Sequence, residues 1–384
     1  MTARLSLRLI ALTLLVGAAL LPIGGGAEAK VLTIGSIFAL SGANASIGTE
    51  SLAGSEYAVK QINDAGGVQI GGETYTIRLI NIDDQSQAER SVVGAEKLIG
   101  EDNASVLLMP PSSTTTLAVI PLAEKNKRIA LSFVAAAPDV TSPAYKYSFR
   151  TTLTSIMNVS PAIEYLIKAK GAKTIAYLGR NDDWGRSAGK AIAETAARLG
   201  AKLTVNEYFE TGSTDFYGLL TKVQAANPDA VVGGAFVEDG VSMIRQYREL
   251  QLTPPFLSVA VIWASPTFLR AAGDTEDGIA ISTGPTTSTS PELTAFNAEY
   301  QKRTGKQALP YNVTAVDNVN LIVEAMKKAG TTDPGTVVAT LRTFEYKGLL
   351  QTYKFDNSTQ SQVVININEV NDGKVSVISS TIAK

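Results

Sequence analysis

Few side chains here could do chemistry unaided. Among 384 residues there is no histidine and no cysteine. Without histidine the chain has no ordinary general base near pH 7 and no Ser-His-Asp arrangement, and without cysteine it has no disulfide, thiolate metal site or sulfur nucleophile. What remain are hydroxyls, carboxylates and aromatics at a few points. Ser112-Ser113-Thr114 is a run of hydroxyls, Asp83-Asp84 and Asp182-Asp183 are paired acids, and Glu238 lies two residues past Phe236. Trp184 and Trp263 are the only tryptophans. A hydrolase working through carboxylates needs two acids facing each other, and the one pairing on offer is Asp182 or Asp183 with Glu238. The chain therefore reads as a binder and not as an enzyme.

Each of these residues falls where a strand hands over to a helix. β-rich runs alternate with helical periodicities, the pattern of parallel sheets covered by helices. In the first half, strands are expected at 31–39, 75–83, 105–109 and 129–132, with helices at 49–65, 87–100 and 114–126. After Phe149-Arg150-Thr151 the rhythm restarts. Strands are expected at 174–178, 202–208, 230–235, 256–261 and 279–283, with helices at 158–170, 184–199, 216–226 and 239–250. Helices at 291–303 and 311–329 and strands at 352–355 and 363–370 complete the chain. The fold class is α/β, in two doubly wound parallel-sheet lobes.

Ligands of such sheets sit beyond the carboxyl ends of the strands, where helix N-termini converge. That rule selects Ser112, Ser113 and Thr114 after one strand and Phe133-Val134-Ala135-Ala136 after the next. In the second lobe it selects Arg180 to Gly185, Phe236 to Asp239, and Ile262-Trp263. The hydroxyls could hold an anionic oxygen together with backbone N–H groups, cap their helix, or do both. Asp83-Asp84 opens a helix, and capping is the favoured reading there. Either tryptophan could cover an apolar ligand or pack beneath its own loop.

The first 29 residues read as a signal peptide. Arg4 and Arg8 precede an apolar run over 9–21, and Ala27-Glu28-Ala29 has the small-x-small form that is cleaved. With no cysteine to carry a lipid, the expected product is a periplasmic protein and not a lipoprotein. With 34 basic and 36 acidic residues, the charge balance offers no footprint for nucleic acid. A helix-turn-helix regulator is set aside as well, because the leader occupies that place.

In their order, Ala39-Leu40-Ser41-Gly42, Gly48, a helix over 54–63 ending at Gly66-Gly67, Asp83-Asp84-Gln85, Pro138, Phe149-Arg150-Thr151, Asp183-Trp184-Gly185 and residues 311–318 form a recognisable series. The chain resembles the leucine/isoleucine/valine-binding family of periplasmic substrate-binding proteins, which serve ABC transporters. The resemblance implies a type I architecture, in which three hinge crossings near Thr151, Thr283 and Leu350 join the lobes. The N-terminal lobe would hold 30–151 plus 284–350, and the C-terminal lobe 152–283 plus 351–384. It also implies a monomer without cofactor or metal, which closes on a small-molecule ligand and is read by an inner-membrane ABC permease.

The family's ligand residues carry over unevenly. Ser112 matches a serine that binds the ligand carboxylate, and Val134 a backbone carbonyl that helps hold the ammonium. Ala136 stands in place of a threonine hydroxyl, Ile47 and Phe236 replace tyrosines, and Trp184 and Tyr311 occupy aromatic positions. The acid that would neutralise an α-ammonium falls near Ala260, where there is none. Either Glu238 takes that place, or the ligand is an apolar-bodied carboxylic acid, with a hydrophobic amino acid close behind. A receptor-docking sensor subunit and a binder of small amides are the alternatives.

Overall fold

Short apolar strands that alternate with amphipathic helices bury both faces of a parallel sheet, and the chain does this twice. In the computed structural model, residues 29–273, 282–283, 290–371 and 373–383 are described. The expected leader, apart from Ala29, lies outside them, as do most of the 279–283 strand and the Thr/Ser-rich stretch after it.

In chain order the first lobe begins β1 (Lys30–Ile37), α1 (Ala45–Asp64), β2 (Val68–Ile70), β3 (Glu73–Ile82), α2 (Ala88–Gly100), β4 (Val106–Leu108), α3 (Ser113–Lys125), β5 (Ile129–Ser132) and β6 (Ser148–Arg150). The sheet order is β2-β3-β1-β4-β5-β6, parallel throughout except for β2 at its edge. The second lobe follows with α4 (Ser155–Lys168), β7 (Thr174–Arg180), α5 (Asp183–Arg198), β8 (Lys202–Phe209), α6 (Tyr217–Ala226), β9 (Ala230–Gly234), α7 (Val237–Glu249), β10 (Phe256–Ser258) and α8 (Pro266–Ala272). Its parallel sheet runs β10-β9-β7-β8. Each sheet reverses its winding beside its first strand, at β1/β4 and at β7/β9. The crevices where ligands collect are therefore set by topology.

The chain then passes β11 (Ser282–Thr283) and re-enters the first lobe as α9 (Pro291–Thr304), α10 (Pro310–Ala329), α11 (Pro334–Leu341), β12 (Glu345–Lys347) and β13 (Thr352–Lys354). Gly54 is where α1 crosses α10. A Cβ there would lie 2.2 Å from the Asn312 carbonyl oxygen, so only glycine permits that approach. The chain ends with β14 (Val363–Asn371) and β15 (Lys374–Ala383), which pair antiparallel with β11 as a separate ribbon.

Three expectations are corrected. The 256–261 strand stops at Ser258, because Ser258 Oγ takes the Ala260 N–H at 3.1 Å and turns the chain into a 3-10 segment, Val261–Ala264. The helices α8 and α11 and the strand β15 were not foreseen, being short or on the ribbon's polar edge. The third crossing lies beyond Leu350. Tyr353 and Phe355 are buried in the first-lobe core, with Phe355 edge-on to Phe149 at 5.0 Å, and the chain crosses only over 356–362.

That crossing runs alongside the one at Thr151. The Arg150 N–H reaches the Thr359 carbonyl at 3.0 Å, and the Ser361 N–H reaches the Arg150 carbonyl at 2.8 Å. The Arg150 side chain, 1 % exposed, donates to Gln360 Oε1, the Ala137 carbonyl and Thr141 Oγ1. Removing the guanidinium would leave these acceptors without their donor, which is costly where they are buried. Arg150→Ala is expected to lower the free energy of unfolding by about 3 kcal/mol, measured as an earlier urea midpoint with unchanged slope.

Candidate functional site

The wall contributed by the first lobe begins where β4 gives way to α3. Ser112 is the N-cap of α3, in extended conformation, and its side chain makes no cap bond. Its carbonyl starts the helix by accepting the Thr116 N–H at 2.9 Å. The hydroxyl and the first N–H groups of a 13-residue helix thus meet at one point, an arrangement suited to an anionic oxygen. Ser113 is already engaged. Its Oγ accepts the N–H groups of Ala136 at 3.2 Å and Ala137 at 3.1 Å, which pins the loop carrying Val134 and Ala135. Thr114 Oγ1 accepts the Asp183 N–H at 3.4 Å from the other lobe.

The second-lobe wall is aromatic. Trp184, in the first turn of α5, stacks on Phe236 with ring centroids 4.8 Å apart and planes 15° from parallel. Asp182 caps α5 by accepting the Gly185 N–H at 2.8 Å. Gly185 is required because a Cβ there would stand 2.1 Å from the Arg180 carbonyl oxygen. Phe236 is placed by its own N–H, which donates to Asp239 Oδ1 at 2.7 Å. Asp239 Oδ2 accepts from Arg180 Nε at 2.6 Å, and neither side chain has any exposure. The guanidinium lies 4.2 Å from the Phe236 ring centroid. It also reaches into the first lobe, to Asn44 Oδ1 at 2.9 Å and the Ala43 carbonyl at 3.3 Å.

Between these walls lies a cavity of about 230 Å³, just below the roughly 300–1,000 Å³ typical of drug-sized ligands. Of the residues singled out in the sequence, Ser112, Ser113, Val134, Ala135, Ala136, Trp184, Phe236 and Tyr311 line it. Three do not. Trp263 is a core residue, 1 % exposed, stacked between Phe256 and Phe268 with its Nε1 donating to the Ala235 carbonyl. Ile47 is wholly buried and packs in the core cluster that also holds Trp184 and Tyr311. Glu238 is exposed in the first turn of α7. Asp182 lines the cavity and Glu238 does not, so the two acids do not face each other there. Asp83 and Asp84 brace loops rather than capping α2. They accept backbone N–H groups from Leu40, Gln85 and Ser86, and no group of metal-ligating side chains occurs among the described residues.

The periplasmic binding protein family matches residues 31–373. This chain belongs to that family. A leucine-, isoleucine-, valine-, threonine- and alanine-binding protein of Pseudomonas aeruginosa is 28% identical over 80% of this chain and 81% of its own length. Among solved structures, the branched-chain amino acid transporter substrate binding protein of Streptococcus pneumoniae, in complex with isoleucine, superposes with a TM-score of 0.80. It is 23% identical, over 92% of this chain and 99% of that one. A solute binding protein of an ABC transporter from R. palustris, in complex with benzoate, gives 0.83 at 18% identity, over 91% and 96%. These structural likenesses show the type I fold.

The cavity is poor in charge. Asp182 is the one charged residue lining it among those described, and burial pushes its carboxyl above the ordinary range. Sequence reasoning missed Asn158, Asn297, Gln307, Thr314 and Gln351, which also line it. Asn158, Asn297 and Thr314 lie inside helices, Gln307 in the loop between α9 and α10, and Gln351 between β12 and β13, where nothing in the sequence marks them. Arg180 was among the strand-end residues, but β7 runs two residues longer than expected, and its pairing with Asp239 and with the first lobe was not foreseen.

Glu50 of α1 is a second unmarked acid. It is 8 % exposed, with Oε2 unpartnered among the described residues. Burial first, and the Glu238 charge across the seam, push its carboxyl from 4.5 to about 7 against a Tyr311 backbone bond that lowers it. A raised carboxyl contributes stability in acid and loses it as pH climbs from 4.5 through about 7. Urea midpoints of Glu50→Gln are expected to fall less than those of the parent between pH 5 and pH 8. Arg180→Ala is expected to leave Asp239 buried and unpaired and to loosen the seam. Small-angle scattering with saturating ligand should then show less compaction than for the parent.

Proposed function

We propose that this chain is the periplasmic substrate-binding component of an ABC transporter of the branched-chain amino-acid type, capturing a small apolar carboxylic acid by hinge closure. One observation carries the reading. The cavity at the seam offers an oxyanion corner at Ser112 and an aromatic wall at Trp184 and Phe236, and no carboxylate stands at Ala260. A ligand carboxylate would meet α3, its apolar body would lie on the indole, and contact with both lobes would favour the closed arrangement. An α-ammonium would need a counter-charge in this buried setting. The R. palustris relative in complex with benzoate is consistent with an acid that lacks an ammonium.

A hydrophobic amino acid is the second reading. It is favoured by Asp182, a half-buried cavity carboxylate that an ammonium would help to ionise, and by what the P. aeruginosa relative is said to bind. The periplasmic location and the permease partner rest on the family and the leader; a receptor-docking role would use the same cavity.

Thermal-shift and calorimetric titration with benzoate, 4-methylpentanoate, leucine and isobutyramide separates these readings. The apolar acids are expected to raise Tm and to bind more tightly than leucine. Ser112→Ala and Trp184→Ala should each weaken that binding about tenfold or more, since each tenfold is ~1.4 kcal/mol. Asp182→Asn should leave it within threefold. Leucine binding more tightly than 4-methylpentanoate and lost in Asp182→Asn would overturn the carboxylic-acid reading in favour of the amino acid.

A further inference from the structure

We propose that Asn44 is a closure latch: its side-chain oxygen is spent on the Arg180 guanidinium of the other lobe, so part of the affinity for any ligand comes from a contact that no ligand touches. This rests on the hinge-closure reading and adds to it a residue that sets affinity without setting preference.

Asn44 is the N-cap of α1, 4 % exposed, yet its side chain makes no cap bond. An asparagine there ordinarily accepts an N–H from the first turn of its own helix. Its Oδ1 instead accepts Arg180 Nη1 at 2.9 Å, from the end of β7. A guanidinium only donates, so the amide oxygen and not the amide nitrogen must face it. The Ala43 carbonyl takes Arg180 Nη2 at 3.3 Å. The loop that presents both acceptors is held from within its own lobe by the acidic pair that the cavity leaves unused. Asp83 accepts the Leu40 N–H at 2.8 Å and the Ser41 hydroxyl at 3.2 Å. Asp84 accepts the Ser86 N–H at 2.9 Å. Ser86 Oγ in turn accepts the Asn44 N–H at 3.1 Å and donates to the Ser41 carbonyl at 3.3 Å.

Asn44 and Arg180 come from different lobes, so opening breaks this contact and closing remakes it. A contact made only in the closed form raises the closing equilibrium, and apparent affinity rises with it whatever fills the cavity. Neither residue lines the cavity. Arg180 nevertheless lies 4.2 Å from the centroid of Phe236, part of the aromatic wall, so replacing it would disturb the ligand's own surface. Replacing Asn44 leaves the guanidinium in place, because Asp239 holds it from its own lobe. A second bond across the seam, from the Asp183 N–H to Thr114 Oγ1, is long at 3.4 Å and joins neutral groups. The charge-assisted bond at Asn44 is the stronger of the two.

Calorimetry and stopped-flow tryptophan fluorescence with benzoate, 4-methylpentanoate and leucine test this. Asn44→Ala is expected to weaken every probe that the parent binds by one common factor of about tenfold. The ratios between probes should stay within twofold. The loss should fall on dissociation, because opening must precede release, with association unchanged within about twofold. Asn44→Asp keeps an acceptor toward Arg180 and should bind at least as tightly as the parent. Asn44→Ser keeps a capping hydroxyl but is one bond shorter, and it should match Asn44→Ala, which separates the latch from a loss of α1 stability. Parent-like binding by Asn44→Ala and Asn44→Ser overturns the inference. So does a loss that differs among probes or falls on association, or binding by Asn44→Asp as weak as by Asn44→Ala. Where the parent compacts around a bound probe in small-angle scattering and these variants bind normally, hinge closure stands and only the latch falls. A probe bound without compaction, or no probe bound by the parent, removes the closure reading and the latch with it.

Discussion

A buried guanidinium whose acceptors belong to both lobes is the constraint on which the site depends. Arg180 ends β7 with no exposure, held by Asp239 in its own lobe and by Asn44 and Ala43 in the other. Taking such a charge out of water is tolerable only when its donors are matched. The loop before α1 and the start of α7 must therefore approach the end of β7 together. Phe236 lies beneath the guanidinium and against Trp184, so the aromatic wall takes its position from the same pairing. The interaction that joins the lobes is also the one that shapes the cavity.

The division of labour across the seam follows from helix electrostatics. The first lobe presents the start of α3, with its cap hydroxyl uncommitted and its second serine spent on the neighbouring loop. The second lobe presents rings and one amide held rigid by Val259. One side favours negative charge and the other presents mostly apolar surface, with Asp182 the one charged residue lining the cavity among those described. Under the proposed reading, a small acid with an apolar body would match that polarity.

Paired crossings make the approach of the lobes repeatable. Arg150 and Thr151 run beside Thr359, Gln360 and Ser361 as a short two-stranded hinge. Asp317 of α10 steadies the approach to it by accepting the Leu349 and Leu350 N–H groups and the Tyr353 hydroxyl. Burial raises the Asp317 carboxyl to about 6 despite those three donors. Bending can then be confined to the few residues of the crossings, while the sheets on either side stay rigid.

The α/β alternation, the restart after Arg150 and the strand-end loops that carry Ser112, Val134, Trp184 and Phe236 were legible in the amino-acid sequence. Hydrophobic period and helix-start chemistry are local, and the topology of parallel sheets converts them into a place for a ligand. Glu238 and Trp263 were placed at the site by the same local logic and Ile47 by the family resemblance, and none of the three lines the cavity. A side chain in the right loop still points wherever packing sends it, and Trp263 finds Phe256, Phe268 and the Ala235 carbonyl. The cross-lobe partners of Arg180, the third crossing at 356–362 and the unpaired oxygen of Asn158 had no sequence signal. Each is a relation between residues far apart in the chain. The sequence by itself determined two sheets and which of their ends would meet; only the tertiary structure decided which side chains face the space between them, because that depends on contacts that do not exist until the lobes come together.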